Sequence, residues 1–233
     1  MDSTWRIKAF IGVMMLAAVG TTGYAVLVSH VLHTYCALAV LVLGAATSRM
    51  KVKLPGINGN MSVNLPFLLT AVGSLSAAEV VVVACVSTAV QCWPRKDANF
   101  NPQQMAFNLS MMAFAGCMAS LIFHANRPGL GLVLATATLF IGQTAPVAAI
   151  LAISEGRTAA QTWWSLAHLS FPYYVVSAGM SSIVQTVSSQ LGWALALAVF
   201  PVMYGIHRSY RLYFGKIVAG STEVLVRAAN AGA

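Results

Sequence analysis

The stretch VNLPFLLTAVGSLSAAEVVVVACVSTAVQCW, Val63 to Trp93, decides how many helices this chain contains. It is too long for one membrane-crossing helix, which needs about 20 residues to cross a hydrocarbon core of about 30 Å. Small and polar residues interrupt it at Gly73-Ser74-Leu75-Ser76. Ser76 and Glu79 then have the spacing of a capping box, in which serine and glutamate satisfy the free amides of a helix start. The stretch therefore predicts two short helices, the second beginning near Ala77.

The composition places the whole chain in a membrane. Hydrophobic residues make up 58% and charged residues 8% of 233 residues, and the mean hydropathy is +0.77. A soluble domain carries about 25% charged residues, so this chain has too little charge for a water-facing surface. The net charge is +8, but Lys and Arg flank apolar runs and are not interleaved with aromatic residues as in a nucleic-acid surface. We expect the lipid bilayer as a partner and no nucleic acid.

Further apolar runs give the rest of the predicted bundle. Counting the interrupted stretch as two helices, the chain has eight predicted crossings. The predicted domain organisation is a transmembrane helical bundle over 1–207 followed by a short basic cytoplasmic tail over 208–233. The other predicted helices are 9–28, 33–47, 104–124, 130–153, 162–187 and 191–207.

The positive residues support this helix count. Lys and Arg accumulate in short cytoplasmic loops. With a cytoplasmic N-terminus and eight helices, all of the thirteen Lys and Arg residues except Arg127 fall on the cytoplasmic side. The first apolar run lacks a convincing cleavage site, so it is read as a retained helix. The predicted fold class is all-α: a polytopic transmembrane bundle of about eight helices with both termini cytoplasmic, multi-pass in a bacterial inner membrane.

The residue patterns of catalysis and metal binding are missing from the sequence. There is no GxSxG, HExxH or glycine-rich phosphate loop, and only five acidic residues are available for acid–base work. None of the four cysteines belongs to a CxxC or Cys/His ligand pattern. His30 and His33 are three residues apart, without a matching carboxylate or thiolate pair. We expect a protein that is not an enzyme and has no metal or cofactor.

Polar side chains inside the apolar runs are the candidate site residues. Such groups are costly in a membrane and usually face the bundle interior or a cavity. For any single amide, an interhelical hydrogen bond explains its presence equally well. Pro146 and Pro172 each remove a backbone donor, which favours a pocket among helices three to seven. The candidate ligand-binding residues are Asn64, Gln91, Asn108, Gln143, His168, Tyr173 and Tyr174. Gln185 belongs to the same polar set, and Glu79 is interpreted as a helix cap.

The segment from Met50 to Phe67 is polar and broken, unlike the rest of the chain. Pro55-Gly56 and Asn58-Gly59 are turn dipeptides, and Asn60 or Ser62 is the predicted N-cap of the short third helix. Two interpretations stay open: a structured cytoplasmic turn, or a re-entrant lip of the ligand site or partner surface. The predicted cytoplasmic partner surface consists of Lys51, Lys53, Arg208, Arg211 and Lys216.

The run from Lys51 to Asn64 resembles a stretch in the N-terminal membrane modules of bacterial signalling proteins that end in GGDEF (diguanylate cyclase) or HD-type phosphohydrolase domains. The resemblance extends in the same order from about Ala9 to Lys216. It implies an input module whose last helix runs into a cytoplasmic output domain. The seventeen residues after Lys216 are too few for such a domain, so we do not expect second-messenger chemistry of this chain. The other matching runs are Val90-Gln91-Cys92-Trp93, Ser170-Phe171-Pro172-Tyr173-Tyr174, Pro201-Val202-Met203-Tyr204 and His207-Arg208-Ser209-Tyr210-Arg211-Leu212-Tyr213.

These observations favour a non-catalytic integral membrane module that binds or senses a small ligand and signals to a partner protein, or to a second copy of itself, through its last helix. One alternative is a small-molecule transport subunit, since the architecture is similar to the substrate-binding membrane subunits of vitamin transporters. The other is an accessory subunit that packs against a larger membrane complex.

Overall fold

The computed structural model describes residues 3–29, 33–48, 51–53, 60–62, 64–94 and 100–191, together with Gly205 and Ser209. Over these residues the chain is a bundle of seven helices with one short β-hairpin, which confirms the predicted helical class. The predicted eighth helix over 191–207 and the tail over 208–233 lie outside the described residues, apart from Leu191 and those two positions. The elements are α1 (Ser3–Val28), α2 (Thr34–Ser48), β1 (Lys51–Lys53), β2 (Asn60–Ser62), α3 (Leu65–Ser74), α4 (Ala77–Cys92), α5 (Pro102–His124), α6 (Pro128–Glu155) and α7 (Ala159–Leu191).

Three of these helices are long and apolar enough to cross a membrane. They are α1, α5 and α6, with apolar spans of 24, 23 and 28 residues. At 1.5 Å per residue, even the shortest reaches beyond a hydrocarbon core of about 30 Å. Helices α2, α3 and α4 are apolar but shorter. By length and composition, this bundle is that of a membrane protein.

The predicted break in the Val63–Trp93 stretch is confirmed, because α3 ends at Ser74 and α4 begins at Ala77. Helix α3 runs parallel to α7: the Thr70 hydroxyl lies 3.4 Å from Ser181 Oγ, and the Gln185 amide lies directly against Gly73. From the first pair to the second, the residue numbers increase in both α3 and α7, so the two helices run in the same direction. A Cβ at Gly73 overlaps the end of the Gln185 side chain, which must then move aside.

Contacts elsewhere show that neighbouring helices alternate in direction. Helix α5 is antiparallel to α4. Asn108, early in α5, bonds to Cys92 at the end of α4, whereas Gly116, later in α5, faces Val80 near the start of α4. Together with the parallel pairing of α3 and α7, this order makes α3 and α4 antiparallel, so the chain reverses at 75–76. Helices α5 and α6, and α6 and α7, are antiparallel by the pairs Ala115–Gly142 and Phe123–Gly131, and Phe140–Tyr174 and Thr144–Trp163.

Helix α3 forms the centre of the core. Every residue from Leu65 to Val72 is buried, and α3 contacts α2, α4, α5, α6 and α7. Ten residues span only about 15 Å, half of a hydrocarbon core. The short helix is possible because its polar backbone ends are enclosed by other helices rather than by lipid.

The chain enters α3 through a β-hairpin, which corrects part of the prediction for this segment. Strands β1 and β2 pair antiparallel, with Lys51 opposite Ser62 and Lys53 opposite Asn60. The prediction of Asn60 or Ser62 as the N-cap of the third helix is wrong, because both residues lie in β2. Asn64 occupies the cap position, buried and without a side-chain capping bond. A turn-rich sequence between short polar runs equally favours a hairpin.

Close approach of α5 and α6 depends on Gly142, and this predicts a stability difference. A Cβ built on Gly142 lies 2.9 Å from Ala115 Cβ, whereas a Cβ on Gly20 of α1 has no atom within 4 Å. Gly142→Ala forces the helices apart, and we expect it to lower the free energy of unfolding by about 1–2 kcal/mol. Gly20→Ala gains helix propensity and is expected to raise it by up to about 1 kcal/mol. Denaturant unfolding in detergent micelles, followed by circular dichroism, measures both; equal stability of the two variants would contradict the packing described.

Candidate functional site: an amide and aromatic cluster between α6 and α7

Two of the predicted site residues meet at the contact between α6 and α7. The Tyr174 hydroxyl donates a hydrogen bond of 2.7 Å to Gln143 Oε1. Tyr174 is 4% exposed, so this bond lies in the interior of the bundle. This bond orients the amide: the oxygen faces the Tyr174 hydroxyl, and the nitrogen points away from it.

The nitrogen of this amide is a buried donor that lacks a partner. Gln143 Nε2 is enclosed by protein and has no hydrogen-bond partner among the described residues. An unsatisfied buried donor costs about 1–3 kcal/mol, and such groups are rare enough in native structures to require an explanation. Rotating the amide by about 180° brings Nε2 to the Tyr174 hydroxyl and leaves Oε1 without a partner instead, so one atom of the amide stays unsatisfied in either orientation. The arrangement is complete only when an acceptor from outside these residues approaches Nε2.

Two other buried hydroxyl groups also lack partners among the described residues, Ser87 and Thr88 of α4. Their situation differs chemically from that of Gln143. A serine or threonine hydroxyl in a helix can rotate towards the carbonyl of the preceding turn. An amide NH2 group can also donate to a carbonyl of the preceding turn, as Asn126 does to Ile122, but Gln143 Nε2 makes no such bond to the described residues. Gln143 is therefore the stronger indication of a ligand.

Two residues close to Gln143 in α6 affect its polar surroundings: Thr144, whose hydroxyl both accepts and donates a hydrogen bond, and Pro146, which lacks a backbone N–H. Thr144 accepts a bond of 3.1 Å from the Trp163 indole N–H and donates one of 2.6 Å to the Phe140 carbonyl. Pro146 lies inside α6 and has no N–H to offer the Gly142 carbonyl. The backbone next to Gln143 therefore carries a carbonyl without its usual helical donor, which adds polarity to the cluster.

Aromatic rings pack around Tyr174, the hydrogen-bond partner of this amide. Phe140 packs edge-to-face against Tyr174 with ring centroids 5.1 Å apart, and against Phe171 at 5.8 Å. Tyr173 meets Tyr174 edge-to-face at 6.4 Å. Edge-to-face pairs at these separations are the favoured geometry of aromatic contacts. We call Phe140, Gln143, Phe171, Tyr173 and Tyr174 the amide–aromatic cluster.

The structure does not bring the other predicted site residues into this cluster. Asn108 donates to Cys92 Sγ at 3.3 Å where α4 meets α5, and Gln91 precedes that cysteine in α4. His168 is exposed on α7. Asn64 is buried at the start of α3. The predicted partner surface cannot be compared, because the side chains of Lys51 and Lys53, and all of Arg208, Arg211 and Lys216, lie outside the described residues.

Glu79 is the residue whose role was only partly predicted. It forms the expected capping box with Ser76, accepting from the Ser76 N–H at 2.9 Å and from the Ser76 hydroxyl at 2.8 Å. Its other oxygen accepts from the backbone N–H of His33 at 2.6 Å, and His33 Nδ1 lies 3.7 Å from the carboxylate. Close by, the Ser29 hydroxyl accepts from the Ala78 N–H at 3.0 Å. The start of α4 is thereby fixed to the turn between α1 and α2.

These bonds exclude the helix start at α4 as a ligand site. In transporters, broken helices direct their free N-terminal amides at a substrate. Here the amides at Ser76 and Ala78 already donate to protein oxygens. No group of three His, Cys, Asp or Glu side chains that could hold a metal ion occurs among the described residues either. The amide–aromatic cluster is left as the candidate site.

The Glu79 bonds predict a large loss of stability when they are removed. Glu79→Ala leaves the His33 and Ser76 amides without an acceptor in a largely buried place, and we expect the free energy of unfolding to fall by about 3 kcal/mol. Glu79→Gln keeps one acceptor oxygen, so its loss is expected to be about half. Glu155→Ala is the control, since Glu155 pairs only with exposed Arg157 and is expected to change stability by less than about 0.5 kcal/mol. Denaturant unfolding in micelles compares them; a Glu79→Ala loss no larger than the control contradicts the role given to Glu79.

Comparison with protein-family models, with curated proteins and with solved structures gives no match.

Proposed function

We propose that this chain is a non-catalytic integral membrane module that binds a small ligand at the amide–aromatic cluster and passes its state to a partner through α7 and the segment that follows. The observation that carries the proposal is the buried Gln143 Nε2, which lacks a partner among the described residues while its oxygen is held by Tyr174. A protein-internal donor fixed in this way is complementary to an acceptor on a bound molecule. The sequence resemblance to membrane input modules of signalling proteins supports the same conclusion.

A route for the signal runs along α7. Tyr174 belongs to the cluster, and one and two turns further on Ser177 and Ser181 are fully buried. Ser181 accepts from Gln185 at 3.1 Å and lies beside Thr70 of the central helix α3. A rotation or shift of α7 that accompanies ligand binding therefore changes its polar contact with α3. The predicted eighth helix over 191–207 then connects the end of α7 at Leu191 to the segment that carries the predicted partner residues.

We further propose a multi-pass arrangement in a bacterial inner membrane, with eight helices and both termini cytoplasmic. The alternating directions of the described helices support this proposal. The turn that contains Ser29 and His33 and the start of α4 lie together at one end of the bundle, as a shared outer side requires. Arg127, at the start of α6, is the positive residue expected outside, and Arg157 follows the opposite end of that helix.

Ligand binding is tested through what the protein retains during purification. The wild-type chain, Gln143→Leu and the control Gln161→Leu, which changes an exposed glutamine of α7, are purified in the same mild detergent. Native mass spectrometry then measures the fraction that carries a bound small molecule. We expect equal bound fractions in the wild type and the control. In Gln143→Leu we expect a smaller bound fraction, corresponding to an affinity at least fivefold lower, because one buried hydrogen bond is worth about 1 kcal/mol. A wild-type protein without any bound species, or the same occupancy in Gln143→Leu, contradicts the proposal.

A second measurement separates a ligand site from an ordinary structural bond. Gln143→Leu combined with Tyr174→Phe replaces both polar partners with apolar groups of similar shape. Without ligand we expect the double variant to be as stable as the wild type or up to about 1 kcal/mol more stable, since the orphaned donor disappears with its partner. Gln143→Leu alone leaves the Tyr174 hydroxyl buried and unbonded, and is expected to be about 1–2 kcal/mol less stable than the double variant. Unfolding in micelles checks this order; a double variant more than about 2 kcal/mol below the wild type shows that the pair only stabilises the fold.

A further inference from the structure

We infer that the ligand of the amide–aromatic cluster is an uncharged, ring-bearing molecule with a carbonyl-type acceptor oxygen, and that it enters from the hydrocarbon phase of the bilayer. The inference rests on the proposed function, since it specifies the chemistry of the molecule bound at that site. Three features of the described residues support it: the kind of hydrogen-bonding group left open, the distribution of charge, and the position of the rings relative to the outer surface.

The open group requires an acceptor. Gln143 Nε2 can only donate, and the atom that could accept, Oε1, is already bonded to the Tyr174 hydroxyl. In this orientation of the amide, a ligand that only donates a hydrogen bond leaves Nε2 unsatisfied. A ketone, quinone, ester or amide oxygen has the required lone pairs.

The distribution of charge excludes an ionised ligand. A charge buried in an apolar interior needs an opposite charge or several hydrogen bonds beside it. The described acidic and basic side chains are engaged, exposed or distant: Glu79 is bonded near His33, Glu155 pairs with Arg157 at the end of α6, and Arg6 and Lys8 are exposed near the start of α1. Arg127 is sixteen residues before Gln143 in α6, which corresponds to about 24 Å along the helix. His168 lies on the exposed side of α7. A neutral molecule needs none of these groups.

The rings form a continuous series of contacts from the exposed surface of the bundle to the Gln143 amide. Phe171 is 56% exposed, it touches half-buried Phe140, and Phe140 touches buried Tyr174, whose hydroxyl bonds to Gln143. Exposed apolar side chains continue the surface on both helices, at Ile141 of α6 and at Val175, one turn after Phe171 in α7. In a membrane bundle such a face meets lipid. A planar ring that approaches from the lipid can replace one edge-to-face contact with another, so its entry retains the favoured aromatic geometry.

A matched series of synthetic probes tests the three requirements separately. The probes are 4-decylacetophenone, which has ring, chain and acceptor; decylbenzene, which lacks the acceptor; 4-decylbenzoate, which adds a charge; and 2-dodecanone, which lacks the ring. Dissociation constants are measured for the full chain in lipid nanodiscs, for the wild type, Gln143→Leu and Gln161→Leu. We expect 4-decylacetophenone to bind the wild type and Gln161→Leu about tenfold more tightly than each of the other three. In Gln143→Leu its advantage over decylbenzene is expected to vanish.

The outcomes distinguish a wrong ligand class from a wrong site. Tight binding of the benzoate or of the ringless ketone that is lost in Gln143→Leu overturns the inferred class, while the proposed function stands. Binding of 4-decylacetophenone that is equal in the wild type and Gln143→Leu overturns the inference, because the acceptor then does not meet Nε2. If the wild type retains a bound molecule on purification but none of the other three probes binds more tightly than decylbenzene, the inferred ligand chemistry is wrong while the proposed site stands.

Discussion

The reversal of the chain between α3 and α4 determines the arrangement of the bundle. Without it, the stretch from Val63 to Trp93 is a single long helix, and every later helix crosses in the opposite direction. The reversal is held by one carboxylate, Glu79, which accepts from the amide and hydroxyl of Ser76 and from the amide of His33. Glu79 is buried although His33 is exposed, so the carboxylate satisfies donors at the end of the bundle where water reaches them only in part. The one charge placed in the interior of this stretch is therefore a structural requirement of the turn.

The same requirement explains why Gln143 stands out. Most polar side chains of the described helices are satisfied locally: the hydroxyls of Thr21, Thr47, Thr70, Ser110 and Thr136 donate to a carbonyl one turn earlier. Such bonds cost little and say little about function. An amide can find its partner on its own helix, as Gln185 does at Ser181 in α7, or on another, as Asn108 of α5 does at Cys92 of α4. Gln143 is satisfied on one atom only, and this difference separates a candidate binding group from the amides that hold helices together.

Helix boundaries could be predicted closely from the sequence, because long apolar runs and the Gly73–Ser76 break depend on local composition. The capping box at Ser76 and Glu79 is likewise a local pattern. Two kinds of feature could not be predicted in this way. The bond from His33 to Glu79 joins residues 46 positions apart, and no local pattern encodes it. For the site, polarity within apolar runs marked Gln143 and Tyr174, which are bonded to each other, but it also marked His168, which is exposed, and Asn108, which is bonded elsewhere. Only the packing of α6 on α7 decides which of these groups meet.

The position of α3 connects the hairpin with the candidate site. Helix α3 follows β2 after two residues, is buried along its length, and lies parallel to α7, against which Thr70 and Gly73 pack. Gly73 leaves no space between the backbone of α3 and the Gln185 amide, so α7 cannot shift at this point without moving α3 or that side chain. The amide–aromatic cluster around Tyr174 lies about two turns before Ser181 in α7, the helix that packs against α3. A close-packed interior transmits such a displacement rather than absorbing it. In the proposed function, a shift of α7 at the cluster reaches the hairpin through α3, the buried helix that directly follows the hairpin.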